Sequence, residues 1–311
     1  MQISVVLTIY NEREVIDSFI ERTVNALQLA HLSYELIFVD DRSTDGTRER
    51  ILFHQQSNHN IKYLGMSRRF GRQECFFAGF KEAKGDFVTI LDCDLQDPPE
   101  LIPQLYLTAI EQQAEVVYTV MKERPDETKL KLLLISWGYS ILRSLCPIPI
   151  ISNSGTFKLV SRKIAEQING IDEFDTFFKT LITWIGYKQV PYLFERQGRP
   201  AGKSHYPMYG LRAYRDFLAQ ITSFSYRPLY GLALVATFFV IASVILFIAS
   251  IVVVGPKIFF ASILFSPLAV LNILLFSLLL FALALVAAYT LQIHASTKGR
   301  QRYIVEERLG F

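Results

Sequence analysis

The residues of this sequence best suited to chemistry are carboxylates set close together. Asp92-Cys93-Asp94 follows the apolar run Phe87 to Leu91 and continues as Leu95-Gln96-Asp97-Pro98-Pro99-Glu100. Side chains two apart in an extended chain project to the same side, so Asp92 and Asp94 offer hard oxygen donors together. Such a pair suits Mg²⁺ or Mn²⁺, which complete their shells with water and substrate phosphates. Alone, the pattern equally describes a strand-ending turn with two solvated aspartates. Two further polar clusters shift the balance. Val6-Leu7-Thr8-Ile9-Tyr10-Asn11-Glu12 closes the first apolar run, and Val39-Asp40-Asp41-Arg42-Ser43-Thr44-Asp45-Gly46-Thr47 closes the second. Ligands of open α/β sheets bind outside the carboxyl ends of the strands. Three polar clusters at three such ends point to one shared site.

The elements that must position these residues alternate in type. Strands are predicted at Ile3 to Ile9, Glu35 to Val39, Ile61 to Leu64 and Phe87 to Leu91. A helix runs through Val15, Phe19, Val24 and Leu27, and another starts near Ser43, where Ser43-Thr44-Asp45-Gly46 supplies capping side chains. Alternation of this kind argues for βαβ units and a largely parallel sheet.

The length, 311 residues, accommodates one large catalytic domain and an appendage. A formal net charge of +3 does not suggest a nucleic-acid binder; the position of the charges says more. Nearly all lie before Arg227, and the following stretch up to Thr297 holds only Lys257. Leu229 to Val254 carries no charge and is long enough to cross a hydrocarbon core of about 30 Å at about 1.5 Å per residue. Gly255-Pro256-Lys257 interrupts the run, which resumes from Ile258 to Ile293 with Pro267 as a helix start. The reading is two transmembrane helices. Arg212, Arg215 and Arg227 precede the first, whereas Lys298, Arg300, Arg302 and Arg308 follow the second, so the positive-inside rule places both termini in the cytoplasm. Cys75, Cys93 and Cys146 show no paired spacing and read as reduced, cytosol-facing thiols, and Met1 to Thr8 reads as a buried strand rather than a signal peptide. Two amphipathic segments, Lys129 to Leu145 and Leu211 to Phe224, either pack on the sheet or lie along a membrane surface. The expected organisation is a cytosolic catalytic domain over residues 1–208 and a juxtamembrane helix over 209–227. Two spans over 228–295 and a cytosolic tail over 296–311 complete it.

The polar clusters resemble those of glycosyltransferase family 2, the inverting GT-A class, and most closely its polyprenyl-phosphate branch. The resemblance rests on Tyr10-Asn11-Glu12, Val39 to Thr47, Arg68 to Gly79, Gly85-Asp86 through Glu100, and Arg199 to Tyr206. It implies a Rossmann-like GT-A domain with Thr8, Tyr10, Glu12, Asp40 and Asp41 lining a nucleoside pocket. It further implies that Asp92, Asp94 and Gln96 hold the metal against a diphosphate, with Arg199 and Lys203 near the phosphates. The reaction implied is inverting transfer of a hexose from a nucleotide-sugar, with UDP-glucose the first choice, to undecaprenyl phosphate in the bilayer. Departures from the pattern are Thr8 for a usual Pro, His205 for a frequent Lys, Met121 for a common Arg, and Gly155-Thr156-Phe157-Lys158 for a common Gly-Asp-Phe-Arg. Thr156 therefore leaves vacant any role the acid has in relatives. A processive polysaccharide synthase is a rival reading, but the chain lacks the Gln-x-x-Arg-Trp motif and many spans that such enzymes share. A non-catalytic membrane scaffold is another, weighed against by the intact acids. Homo-oligomers are left open.

Overall fold

The computed structural model describes residues 1–121, 140, 143–146, 154–171, 178–195, 221–222, 224–254 and 267–311, and the side chains of these except 179, 240, 242–254, 267–271 and 273–274. Its centre is an eight-stranded sheet in the order β7-β5-β6-β4-β1-β2-β3-β8. The strands are β1 Ile3–Ile9, β2 Tyr34–Asp40, β3 Ile61–Met66, β4 Phe87–Asp92, β5 Val116–Met121, β6 Ser154–Ser161, β7 Gln189–Phe194 and β8 Val305–Leu309. Four strands, β3-β2-β1-β4, run parallel; β6 and β8 run antiparallel to their neighbours on either flank, so the sheet is mixed. β1 and β2 are buried at every residue, the near-continuous apolar reading expected of strands covered on both faces.

Helices cover both faces. Helices α1 Ile16–Leu29 and α4 Ile102–Glu111 share one apolar layer, in which Phe19, Leu27, Ile102 and Leu105 are buried. Helices α2 Thr47–Ser57, α3 Arg72–Glu82, α5 Arg162–Asn169 and α6 Phe178–Trp184 complete the domain. On the α3 face Phe178 is wedged among Phe76, Phe77 and Phe80, with centroids 4.7–5.4 Å apart. α3 also lies unusually close to the sheet: a Cβ on Gly79 would stand 2.2 Å from Val6 Cγ1 and 3.1 Å from Val39 Cγ2. Only glycine lets the helix backbone approach that near.

Two long helices follow, α7 Arg227–Val254 and α8 Pro267–Thr297, in contact with each other. Among the described residues one helix, Leu275–Thr297, is long and apolar enough to cross a membrane, with mean hydropathy 2.1 and none of its apolar window buried. Leu234, Phe238, Phe276, Phe281 and Leu291 are all exposed, an apolar surface that water does not favour.

The tail after α8 joins the sheet. Residues 305–309 form an edge strand on β3, with Tyr63 opposite Leu309 and Leu64 opposite Arg308. Val305-Glu306-Glu307-Arg308-Leu309 is too short and polar to announce itself, and the open edge of β3 supplies the partner that makes it a strand. All three cysteines are free and buried.

Candidate active site

The chain order within the sheet creates the site. From β1 it steps outward to β2 and β3, then returns to the other side of β1 as β4. Doubly wound sheets bind ligands in the crevice at such a reversal. Thr8 and Asp92 are register partners across it, and Ile9 is the partner of Asp40, so three strand ends are level.

Asp92 closes β4. Its Oδ1 accepts a hydrogen bond from Thr8 Oγ1 at 3.4 Å, and its Oδ2 accepts one from Arg72 Nη1 at 2.9 Å. The Arg72 side chain is 48% exposed and that of Asp92 19%, so the pair faces the opening of the crevice. Two residues on, Asp94 Oδ1 accepts the Gln96 N–H at 3.1 Å, closing a turn in which Leu95 is left-handed, with φ of 58°. Asn11 after β1 and Arg42 after β2 are left-handed too, at 55° and 66°. Outside glycine, this region is uncommon and concentrates at functional turns.

Asp41 is the buried centre of the neighbouring cluster. Its carboxylate accepts Phe70 N–H at 2.6 Å and Gly71 N–H at 3.0 Å, and Arg69 Nε lies 3.7 Å away. The same guanidinium stacks on Tyr10, 3.7 Å from the ring centroid. Burial pushes the Asp41 carboxyl up from its ordinary range, against the opposing pull of the Gly71 and Phe70 N–H groups and Arg69. Asp40 is turned inward: its oxygens accept Ser43 N–H, Ser43 Oγ and the Tyr63 hydroxyl at 2.6–2.8 Å. The turns after β1 and β2 are stapled to each other. Ser43 Oγ receives Asn11 N–H, Asn11 Oδ1 receives Thr44 N–H, and Thr47 Oγ1 receives Glu12 N–H. Asp45, rather than a side chain at the helix cap itself, accepts the Thr47 N–H that opens α2.

The structure thus brings Thr8, Tyr10, Glu12, Asp40, Asp41, Asp92, Asp94 and Gln96 to one end of the sheet. Arg199 and Lys203 lie outside the described residues. Two cations that the sequence left without a role, Arg69 and Arg72, sit among the acids; the run Arg68-Arg69-Phe70-Gly71-Arg72 after β3 was the available signal. Among the described residues no three His, Cys, Asp or Glu side chains converge into a metal centre. Asp92 and Asp94 alone make an all-oxygen donor pair, which fits a hard divalent ion taking its other ligands from phosphates and water. The buried Cys93 thiol between them is pushed up chiefly by burial and further by the charges of Glu12, Asp92 and Asp94.

A β1–β4 switch point on a mixed sheet of this order is the binding crevice of a GT-A-like, Rossmann-type α/β fold. The family model for glycosyl transferase family 2 matches residues 4–168, and the chain belongs to that family. An uncharacterized glycosyltransferase of Bacillus subtilis is 31% identical across 100% of this chain and 95% of its own length. The bactoprenol glucosyl transferase of Shigella phage SfX is 29% identical across 99% of this chain and 100% of its own. A prophage bactoprenol glucosyl transferase homolog of Escherichia coli is 29% identical across 98% and 99%. Relatives that match along nearly the whole chain thus include bactoprenol glucosyl transferases. Among solved structures, glucosyl-3-phosphoglycerate synthase from Mycobacterium tuberculosis aligns with a TM-score of 0.49 at 18% identity, over 71% of this chain and 79% of that one.

Proposed function

We propose that the protein transfers a hexose, glucose from UDP-glucose in the first instance, to undecaprenyl phosphate with inversion at the anomeric carbon. The observation that carries this reading is likeness to bactoprenol glucosyl transferases along the whole chain, apolar helices included. The nucleoside would lie along Tyr10 and Asp41, with the diphosphate directed toward Asp92 and Asp94. A divalent ion held by that pair, with Gln96 nearby, would act as a Lewis acid on the departing diphosphate. Arg72 and, beyond the described residues, Arg199 and Lys203 would add positive charge where negative charge accumulates.

The acceptor suits a site without a strong base. A phosphate monoester with a second pKa of about 6 is already anionic near neutral pH, so its oxygen needs no proton removed as it attacks. A sugar hydroxyl would need one. Thr156 on β6 in place of an acid is consistent with that difference.

A lipid acceptor requires the domain to be held at a bilayer. β8 lies beyond α8 in sequence yet pairs with β3 of the catalytic sheet. A chain that crosses the membrane through Leu275–Thr297 and ends in the sheet where it began must cross an even number of times. α7, at 28 residues and about 42 Å by helical rise, is long enough for the return crossing. This parity supports a two-span anchor with both termini on one side of the membrane, and the basic residues that flank the spans favour the cytoplasmic side.

The test is transfer of labelled glucose to undecaprenyl phosphate by Asp94→Asn protein purified with its membrane helices. Transfer should fall at least about a hundredfold, the scale of losing one electrostatic group in a transition state, with the protein still folded and chelator abolishing wild-type turnover. Near-normal turnover in the variant or with chelator would remove the two carboxylates from the mechanism.

A further inference from the structure

The tail strand does more than cover a sheet edge. β3 ends at Met66, and the chain continues through Ser67 to Gly71, the loop whose Phe70 and Gly71 N–H groups hold Asp41 and whose Arg69 stacks on Tyr10. Both ends of that loop are fastened by the tail. At its start, Ser67 N–H donates to Ile304 O at 3.0 Å, and the pairing reaches this far through a register shift at Gly65/Met66. Arg42 Nη1 donates to Ser67 O and reaches Glu306 Oε2 at 3.5 Å. At its end, where α3 begins, Arg302 Nε pairs with Glu74 at 3.2 Å and its guanidinium lies 3.5 Å from the Phe77 ring centroid. The Arg302 side chain is 7% exposed, so this contact is shielded from water and salt in a way that surface ion pairs are not. Arg302 stands five residues after α8, the apolar helix that ends at Thr297.

We propose that residues 302–306 are a brace that sets the shape of the nucleotide pocket, with Arg302 a positioning residue for donor binding. The proposal rests on the reading of the Tyr10–Asp41 cluster as the donor's nucleoside site. It makes the membrane helix and the donor pocket parts of one continuous device. The domain reaches its full nucleotide affinity only with the segment after α8 docked, and the acceptor side of the site plays no part in that docking.

The experiment measures UDP affinity by calorimetry on the full chain in detergent, for the wild type, Arg302→Met, Arg42→Met and Arg308→Met. Arg308 is the control: it joins the same tail segment to the same helix through Glu82 at 3.0 Å, but at the far end of α3 from the loop. Arg302→Met should raise the UDP dissociation constant about three- to tenfold, as expected for losing an ordinary polar contact behind the pocket. The Michaelis constant for lipid acceptor should not move. Arg42→Met, which leaves the strand in place and frees Ser67 O, should give a rise of the same size and decides the matter if Arg302→Met does not fold. Arg308→Met should stay within about twofold of wild type, as an exposed pair would. Unchanged affinity in the Arg302 and Arg42 variants, or an equal loss in all three, overturns the brace. A wild type that binds no UDP removes the donor reading, and the brace with it.

Discussion

Replacing Asp41 with Asn changes one oxygen to an amide and leaves the side chain's volume intact. The carboxylate accepts two backbone N–H groups, from Phe70 and Gly71, both on the loop that carries Arg69. Asn puts an NH₂ group where Oδ2 accepts Gly71 N–H at 3.0 Å, so that N–H faces a donor and keeps only its 3.1 Å contact to Oδ1, and the charge beside Arg69 is lost. Hydrogen bonds to a charged acceptor contribute about 1.5–3 kcal/mol, and loss of one displaces the loop that flanks the nucleoside pocket. If that loss is expressed in binding, the UDP dissociation constant rises about ten- to hundredfold. The pH profile gives a second reading. Burial raises the Asp41 carboxyl above its usual range. An acid whose folded pKa is raised contributes stability that is complete below the unfolded pKa and lost as pH rises through the folded value. Its contribution to nucleotide binding has the opposite sign, because only the ionised form offers both oxygens to these N–H groups and a negative charge to Arg69. Wild-type UDP affinity should therefore fall on acidification from a pH above the ordinary aspartate value, and the Asn variant should lack that component. Titration of UDP itself is common to both proteins and cancels in the comparison. Calorimetry at several pH values measures both effects. Unchanged affinity in the variant, or the same acid limb in both proteins, would show that Asp41 does not shape the pocket.

Gly79→Ala should destabilise the domain by about 1–3 kcal/mol, because overpacking α3 against Val6 and Val39 has nowhere to relax; a thermal midpoint equal to wild type would contradict the close approach of helix and sheet. A cysteine introduced beside Lys257 should react with an external, membrane-impermeant label in intact cells, whereas one beside Lys298 should be protected; the reverse pattern would refute the two-span orientation.

The parallel half of the sheet was legible because its strands are buried on both faces, so β1, β2 and β4 read as continuous apolar runs ending in polar clusters. That is also why the acids were readable: a carboxylate at the end of such a run has only the strand-end crevice to occupy. Asp40 illustrates the limit. Sequence pairs it with Asp41, yet the Ser43 turn and the Tyr63 hydroxyl draw it inward while Asp41 takes the loop after β3. β8 was illegible for a different reason. Its five residues carry little hydrophobic signal, and its strand character comes from the long-range edge of β3 and from ion pairs such as Arg48 with Glu307, 259 positions apart. Arg69 and Arg72 escaped because cations on a loop ordinarily read as solvated; only the fold places them on Tyr10 and Asp92.

Transfer of a sugar from the strand-end site to a lipid phosphate can be followed directly. Incubating the purified full-length protein with labelled UDP-glucose, Mg²⁺ or Mn²⁺ and undecaprenyl phosphate, then extracting into organic solvent, tests it directly. The expected product is a labelled lipid in which glucose is joined to the phosphate through a β linkage, formed in step with UDP release and absent when undecaprenol replaces the phosphate ester. Release of UDP with free glucose and no labelled lipid, or a product whose linkage keeps the donor's α configuration, would contradict it.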